Sequence, residues 1–112
     1  MVDFVTIPTR DVGRATAWYA DVLGLERGAE GEVETPNVTL SFWNPEQDGE
    51  PFSPNAAGVA LRVADVHAAV EEARAAGAEV LGVEDTGVCH MGFCKDPDGN
   101  TIILHRRHVP RA

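Results

Sequence analysis

An α+β fold made of two tandem βαβββ modules is what this sequence predicts, on three observations. Two short amphipathic helices open on the same kind of dipeptide, Asp11-Val12 and Asp65-Val66, and close on glycine in Leu23-Gly24-Leu25 and Ala76-Gly77-Ala78. Each helix is preceded by one β-rich run and followed by three. A tight hairpin, Lys95-Asp96-Pro97-Asp98-Gly99-Asn100, joins the last two runs. A single unit of this kind cannot cover its own sheet, so packing two copies together is the physical reason for duplication.

Residues 2–9 alternate and are rich in β-formers, which predicts the first strand. Asp11 then supplies an N-cap, and Val12, Ala15, Tyr19, Val22 and Leu23 recur at helical spacing until Gly24 stops the helix. Strands follow at residues 25–29 and 32–35, and Pro36-Asn37 turns the chain into a strand over 38–43. Module one therefore spans 1–44. Residues 45–57 are rich in Pro, Asn, Gly and Glu without periodicity and read as a linker. Module two, 58–108, repeats the order: a strand over 58–63, a helix capped by Asp65 with Val66, Ala69, Val70 and Ala73 on one face, then strands over 78–83, 88–95 and 100–107. Arg106, Arg107 and Arg111 read as a solvated end.

The hairpin sets a register. Pro97 fixes one φ, and Gly99 can take the positive φ that closes a three-residue loop with a bulge. Pairing Asp96 with Asn100 places Cys94 opposite Ile102, Phe93 opposite Ile103 and Met91 opposite His105. Strand alternation then puts Met91, Phe93, Ile103 and His105 on one face. Aligning Asn37 with Asn100 extends the repeat and sends Leu40 and Phe42 to that same concave side, with Phe4, Thr6, Pro8, Gly58, Ala60 and Arg62. Asp96 and Asp98 belong to the turn and are not read as a catalytic dyad.

A chain of 112 residues with 44% hydrophobic residues supports one globular domain. Its net charge of −9 repels nucleic acid and anionic membrane and would concentrate cationic ligands. Nothing approaches the ~20 apolar residues of a membrane span, and no basic stretch leads into an apolar one, so a cytoplasmic location is expected. Cys89 and Cys94 lie at odd spacing on one strand, on opposite faces, and are expected to stay reduced.

The two modules, the stretch Thr9-Arg10-Asp11 to Trp18-Tyr19-Ala20-Asp21-Val22-Leu23-Gly24-Leu25, and the Asp96-Pro97-Asp98-Gly99-Asn100 hairpin resemble the vicinal oxygen chelate superfamily. That superfamily includes glyoxalase I, extradiol dioxygenases, fosfomycin resistance enzymes and bleomycin resistance proteins. The resemblance covers essentially the whole chain and implies the fold, not the chemistry. It also implies metal-ligand positions on the first and last strand of each module, which fall here on Phe4, Gly58, Leu40 and Ile103. None offers imidazole nitrogen or carboxylate oxygen, so no metal and no other cofactor is expected.

What remains is a mostly apolar small-molecule site lined by Phe4, Leu40, Phe42, Trp43, Met91, Phe93, Ile103, Arg62 and His105. Arg62 suits bidentate capture of a carboxylate or phosphate, a role the resemblance also implies, or it is a strand-end arginine reaching water. His105 is either a general base in the cavity or a hydrogen-bonded structural histidine. His90 faces away from it and reads as structural, and Cys89 as packing at the pocket edge. A zinc set of Cys89, His90, Cys94 and His105 is disfavoured because their faces diverge. Trp43 is a stacking wall for a flat ligand or a plug over the linker. The leading expectation is a metal-free protein that sequesters a small molecule, at or near the seam of a homodimer as the resemblance implies. The alternative is a cofactor-independent lyase, isomerase or epimerase with His105 as base and Arg62 as anion clamp. Net acidity argues for a cationic ligand and Arg62 for an anionic one, which leaves the ligand class open.

Overall fold

The computed structural model describes residues 1–110. Its elements run β1 (Phe4–Pro8), α1 (Val12–Asp21), β2 (Glu26–Arg27), β3 (Glu32–Glu34), β4 (Thr39–Trp43), a 3₁₀ turn (Pro45–Asp48), β5 (Val59–Arg62), α2 (Val66–Ala75), β6 (Glu79–Asp85), β7 (Cys89–Lys95) and β8 (Thr101–Arg107). They form two four-stranded sheets of the same topology, β1-β4-β3-β2 and β5-β8-β7-β6. The first and last long strands of each module lie parallel and side by side, and the other pairings are antiparallel. The 3₁₀ turn lies in the segment read as linker; Asn44 caps it by accepting from Glu46 N, a local signal that periodicity does not carry.

Both helices start as the sequence predicts. Asp11 accepts from Arg14 N, and Asp65 accepts from Ala68 N, so each aspartate satisfies one of the free N–H groups of its first turn. Each helix covers one face of its own sheet. Ala15 and Tyr19 of α1 are buried with Ile7, Val33, Leu40 and Phe42, the Tyr19 and Phe42 rings lying 4.8 Å apart. Val66, Val70 and Ala73 of α2 are buried with Cys94, Ile102 and Leu104. Gly92 leaves the space that Val70 and Val66 fill. Each large aliphatic side chain buried this fully contributes about 1.5–3 kcal/mol.

The hairpin register is as expected in module two: Met91 pairs with His105, Phe93 with Ile103 and Cys94 with Ile102, and Asp96 N donates to Asn100 O. In module one the expected faces are reversed for β4. Val5 pairs with Leu40 and Ile7 with Phe42, so Leu40 and Phe42 face α1 in the core, while Phe4, Thr6, Thr39, Ser41 and Trp43 face the other side. The cause is one residue of loop. Thr35 N donates to Val38 O across a two-residue turn, whereas Asp96 and Asn100 enclose three residues with Gly99 at φ 87°. Val38, not Asn37, is therefore the counterpart of Asn100. A one-residue slip flips every side chain of a strand.

The Asp96–Asn100 hairpin also fastens module two to module one. Asp96 Oδ2 accepts from the Tyr19 hydroxyl at 2.6 Å, and Asn100 Nδ2 donates to Pro8 O at 2.8 Å. Asp98 accepts from the Thr9 hydroxyl, from Arg10 N and from Arg14 Nη2. Both aspartates are thus committed to the turn and the seam between modules.

Candidate functional site on the open face of the second sheet

Away from α2, the second sheet presents rows of side chains set by its register. Arg62, His105 and Met91 lie opposite one another across β5, β8 and β7; Ala60, Ile103 and Phe93 form the next row. On the other flank Arg107 lies opposite Cys89. Arg62, His105 and Arg107 border one cleft of about 460 Å³, closed on one side by residues 108–110. Phe93 and Ile103 border an adjoining cleft of about 520 Å³ with Leu81 and Val83. The arrangement is a cationic half beside an apolar half.

Arg107 departs from the expectation of a solvated end. It is half-buried, and its Nε is buried with no hydrogen-bond partner among the described residues. Its parity with His105 was readable in the sequence, since the two are separated by one residue on a single strand. Arg62 is exposed, and its side chain makes no hydrogen bond or ion pair among the described residues. Two guanidiniums and an imidazole on one face can hold a carboxylate or phosphate through paired N–H donors. Arg111 lies outside the described residues.

Several expected site residues are not brought to this cleft. Leu40 instead borders a groove of about 540 Å³ between the modules, which includes Val5, Val38 and Val59 and shares Ala60 and Arg62 with this cleft. Phe42 is in the core. Phe4, 56% exposed, and Trp43 lie on the open face of the first sheet. Trp43 is 41% exposed, and its Nε1 donates to Asp48 Oδ2 at 2.7 Å, which ties the indole to the 3₁₀ turn. By register Trp43 is the module-one counterpart of His105, and Pro8 that of Arg62.

The same register replaces Leu40 by Ser41 at the implied metal position, as the counterpart of Ile103. Phe4, Gly58, Ser41 and Ile103 offer one hydroxyl and no imidazole, thiolate or carboxylate. That donor set does not fit a divalent cation. The zinc set of Cys89, His90, Cys94 and His105 does not assemble either. Cys94 is buried beneath α2, Cys89 and His105 lie on the open face, and His90 faces the helix side. Burial, with the Asp96 carboxylate nearby, pushes the Cys94 thiol up to about 11. Burial and the bond to Asp96 raise the Tyr19 hydroxyl well above its ordinary value.

A family model described as Glyoxalase/Bleomycin resistance protein/Dioxygenase superfamily matches residues 1–104. The chain belongs to this superfamily. Among solved structures, a superfamily member from Sphaerobacter thermophilus is 22% identical, with 94% of this chain and 95% of that one covered and a TM-score of 0.78. TnmS3, an antibiotic binding protein from Streptomyces sp. CB03234, is 25% identical over 96% of this chain and 95% of its own, with a TM-score of 0.76. A lactoylglutathione lyase from Agrobacterium tumefaciens is 16% identical over 94% and 92%, also at 0.76. No curated protein matches the chain. The superfamily fold thus accommodates both a binding protein and a lyase, and no helix of this chain is long and apolar enough to cross a membrane.

Proposed function

We propose that this protein binds and sequesters a small molecule bearing a carboxylate or phosphate, on the open face of its second sheet. Arg62 and Arg107 hold the anionic group, His105 donates to it, and Met91, Phe93 and Ile103 receive the apolar body. One observation carries the reading: two guanidiniums without protein acceptors among the described residues border one cleft, and the Nε of one is already buried. A buried donor left unpaired costs about 1–3 kcal/mol, which a bound anion would recover. The local cationic cluster outweighs the net charge of −9 as a guide to the ligand, because a surrounding field steers encounter while the contact groups set the bound state. The likeness to TnmS3, an antibiotic binding protein, supports the binding of a small molecule. In this reading the protein works in the cytoplasm as a homodimer, and without a metal at the superfamily's usual positions.

A second reading keeps the same residues for catalysis. General-base work by His105 contributes about 10²–10⁴-fold, and Arg107 beside Arg62 supplies a second polarising group for it. The test is calorimetric titration with small carboxylates and phosphates, and with cationic antibiotics as the contrasting set. Arg62→Ala and Arg107→Ala should each weaken anion binding by roughly tenfold or more. Preferential binding of the cationic set, unaffected by either substitution, would remove the anion reading. Conversion of a bound ligand that His105→Ala abolishes while binding persists would replace sequestration by catalysis.

A further inference from the structure

The helix side of the second sheet carries a separate cluster at its far end. Asp85 closes β6, His90 lies on β7, and His108 follows β8. His90 Nε2 is 3.3 Å from Asp85 Oδ2, and His108 Nε2 is 3.1 Å from Asp85 Oδ1. The His90 and His108 ring centroids are 4.7 Å apart, and His67 of α2 packs edge-on to His90 at 5.7 Å. One ligand atom from each of Asp85, His90 and His108 fits within 4.8 Å of the other two.

We propose that Asp85, His90 and His108 form a site for a borderline divalent transition metal, Zn²⁺ being the natural occupant. Two imidazoles and a carboxylate are a three-ligand set that zinc accepts, with a water in the fourth position. Each oxygen of the carboxylate faces one imidazole nitrogen, Oδ2 at 3.3 Å from His90 Nε2 and Oδ1 at 3.1 Å from His108 Nε2, so an ion between them can be held by both rings and by Asp85 through one or both oxygens. Both histidines turn Nε2 toward the carboxylate, so each can coordinate with its proton on Nδ1. Gly87 N donates to Asp85 Oδ1 at 2.8 Å, which orients the carboxylate toward the two rings. Hard cations such as Mg²⁺ prefer all-oxygen sites and fit less well.

Three chain segments meet at this point, and the β6–β7 turn brings Asp85 and His90 together. His108 arrives because its backbone N donates to Val88 O at 2.9 Å, fastening the end of β8 to that turn. A bound ion would clamp the same segment and thereby one wall of the Arg62 cleft, but the assignment does not depend on the anion reading. It is also distinct from the superfamily's metal positions, which lie among the first and last strands on the open face.

Titration of the chelator-treated full chain with Zn²⁺ by calorimetry tests the site. About one ion should bind per chain, and His90→Ala, His108→Ala and Asp85→Asn should each weaken binding by at least tenfold. Zn²⁺ should raise the thermal midpoint of the parent chain and not that of the three variants, since only a native-state ligand stabilises. Cys89→Ser should leave the affinity unchanged. Absence of binding at millimolar Zn²⁺, unaltered affinity in the three variants, or loss of binding in Cys89→Ser would each overturn the assignment. Variants that keep the parent's circular dichroism and zinc-free midpoint exclude misfolding as the cause of lost affinity.

Discussion

Gly92 is the smallest residue on which the packing of module two depends. It faces α2, and a Cβ there would collide with Val70 and press against Val66 Cγ1 at 3.3 Å. Gly92→Ala should therefore destabilise by about 1–3 kcal/mol, read as a lower urea midpoint with an unchanged m-value. Cys94 makes a second residue-level prediction. The folded state holds its proton up to about 11, whereas the unfolded thiol ionises near 8.5. As pH rises between those values the unfolded chain loses a proton that the native chain keeps, so stability falls over that window. Cys94→Ala should flatten that part of the pH–stability curve while lowering stability at neutral pH. In the native protein a thiol reagent should modify half-exposed Cys89 before buried Cys94.

Among the elements, the Asp96–Asn100 hairpin joins the modules through side chains as well as backbone. Asp96 accepts from Asp98 N, Asn100 N, Asn100 Nδ2 and the Tyr19 hydroxyl. Removing it in Asp96→Ala strands several buried donors at once, with an expected loss of about 3 kcal/mol or more. Asp98→Ala should cost less, about 1–2 kcal/mol: it breaks the Thr9 and Arg10 N bonds, but its ion pair is with a half-exposed Arg14. Chemical denaturation of both variants gives the comparison, and a larger loss for Asp98→Ala would contradict it.

For the whole molecule, the unpaired feature is the open side of both sheets. Phe4 and Trp43 are exposed there on the first sheet, and Leu81 is exposed on the second beside its apolar cleft. Association of two copies through this side, as the proposed function holds, would cover apolar residues that a lone chain leaves in water. Light scattering should report a dimer at micromolar concentration, and Leu81→Lys combined with Phe4→Lys should shift it to monomer. A monomeric parent chain would remove the homodimer from the proposed function.

What was legible in the sequence by itself is the local part of this protein. Asp11, Asp65 and Gly77 mark helix limits because capping and termination act within one turn of helix, whereas α1 ends at Asp21, short of the Leu23-Gly24 stop the spacing predicts. The Pro97-Asp98-Gly99 loop fixed the β7–β8 register, and with it the faces of Met91, Phe93, Ile103 and His105, because loop length and alternation determine a hairpin. Tertiary structure decided what depends on neighbours distant in the chain. It placed Leu40 and Phe42 against α1, because the two-residue Thr35–Val38 turn shifts β4 by one position relative to its counterpart. It half-buried Arg107 next to the Arg62 cleft, and it folded His108 back onto Asp85 and His90. These groups are separated by up to 45 and 23 residues respectively, from 62 to 107 and from 85 to 108, and only the stacking of strands in one sheet brings them within reach.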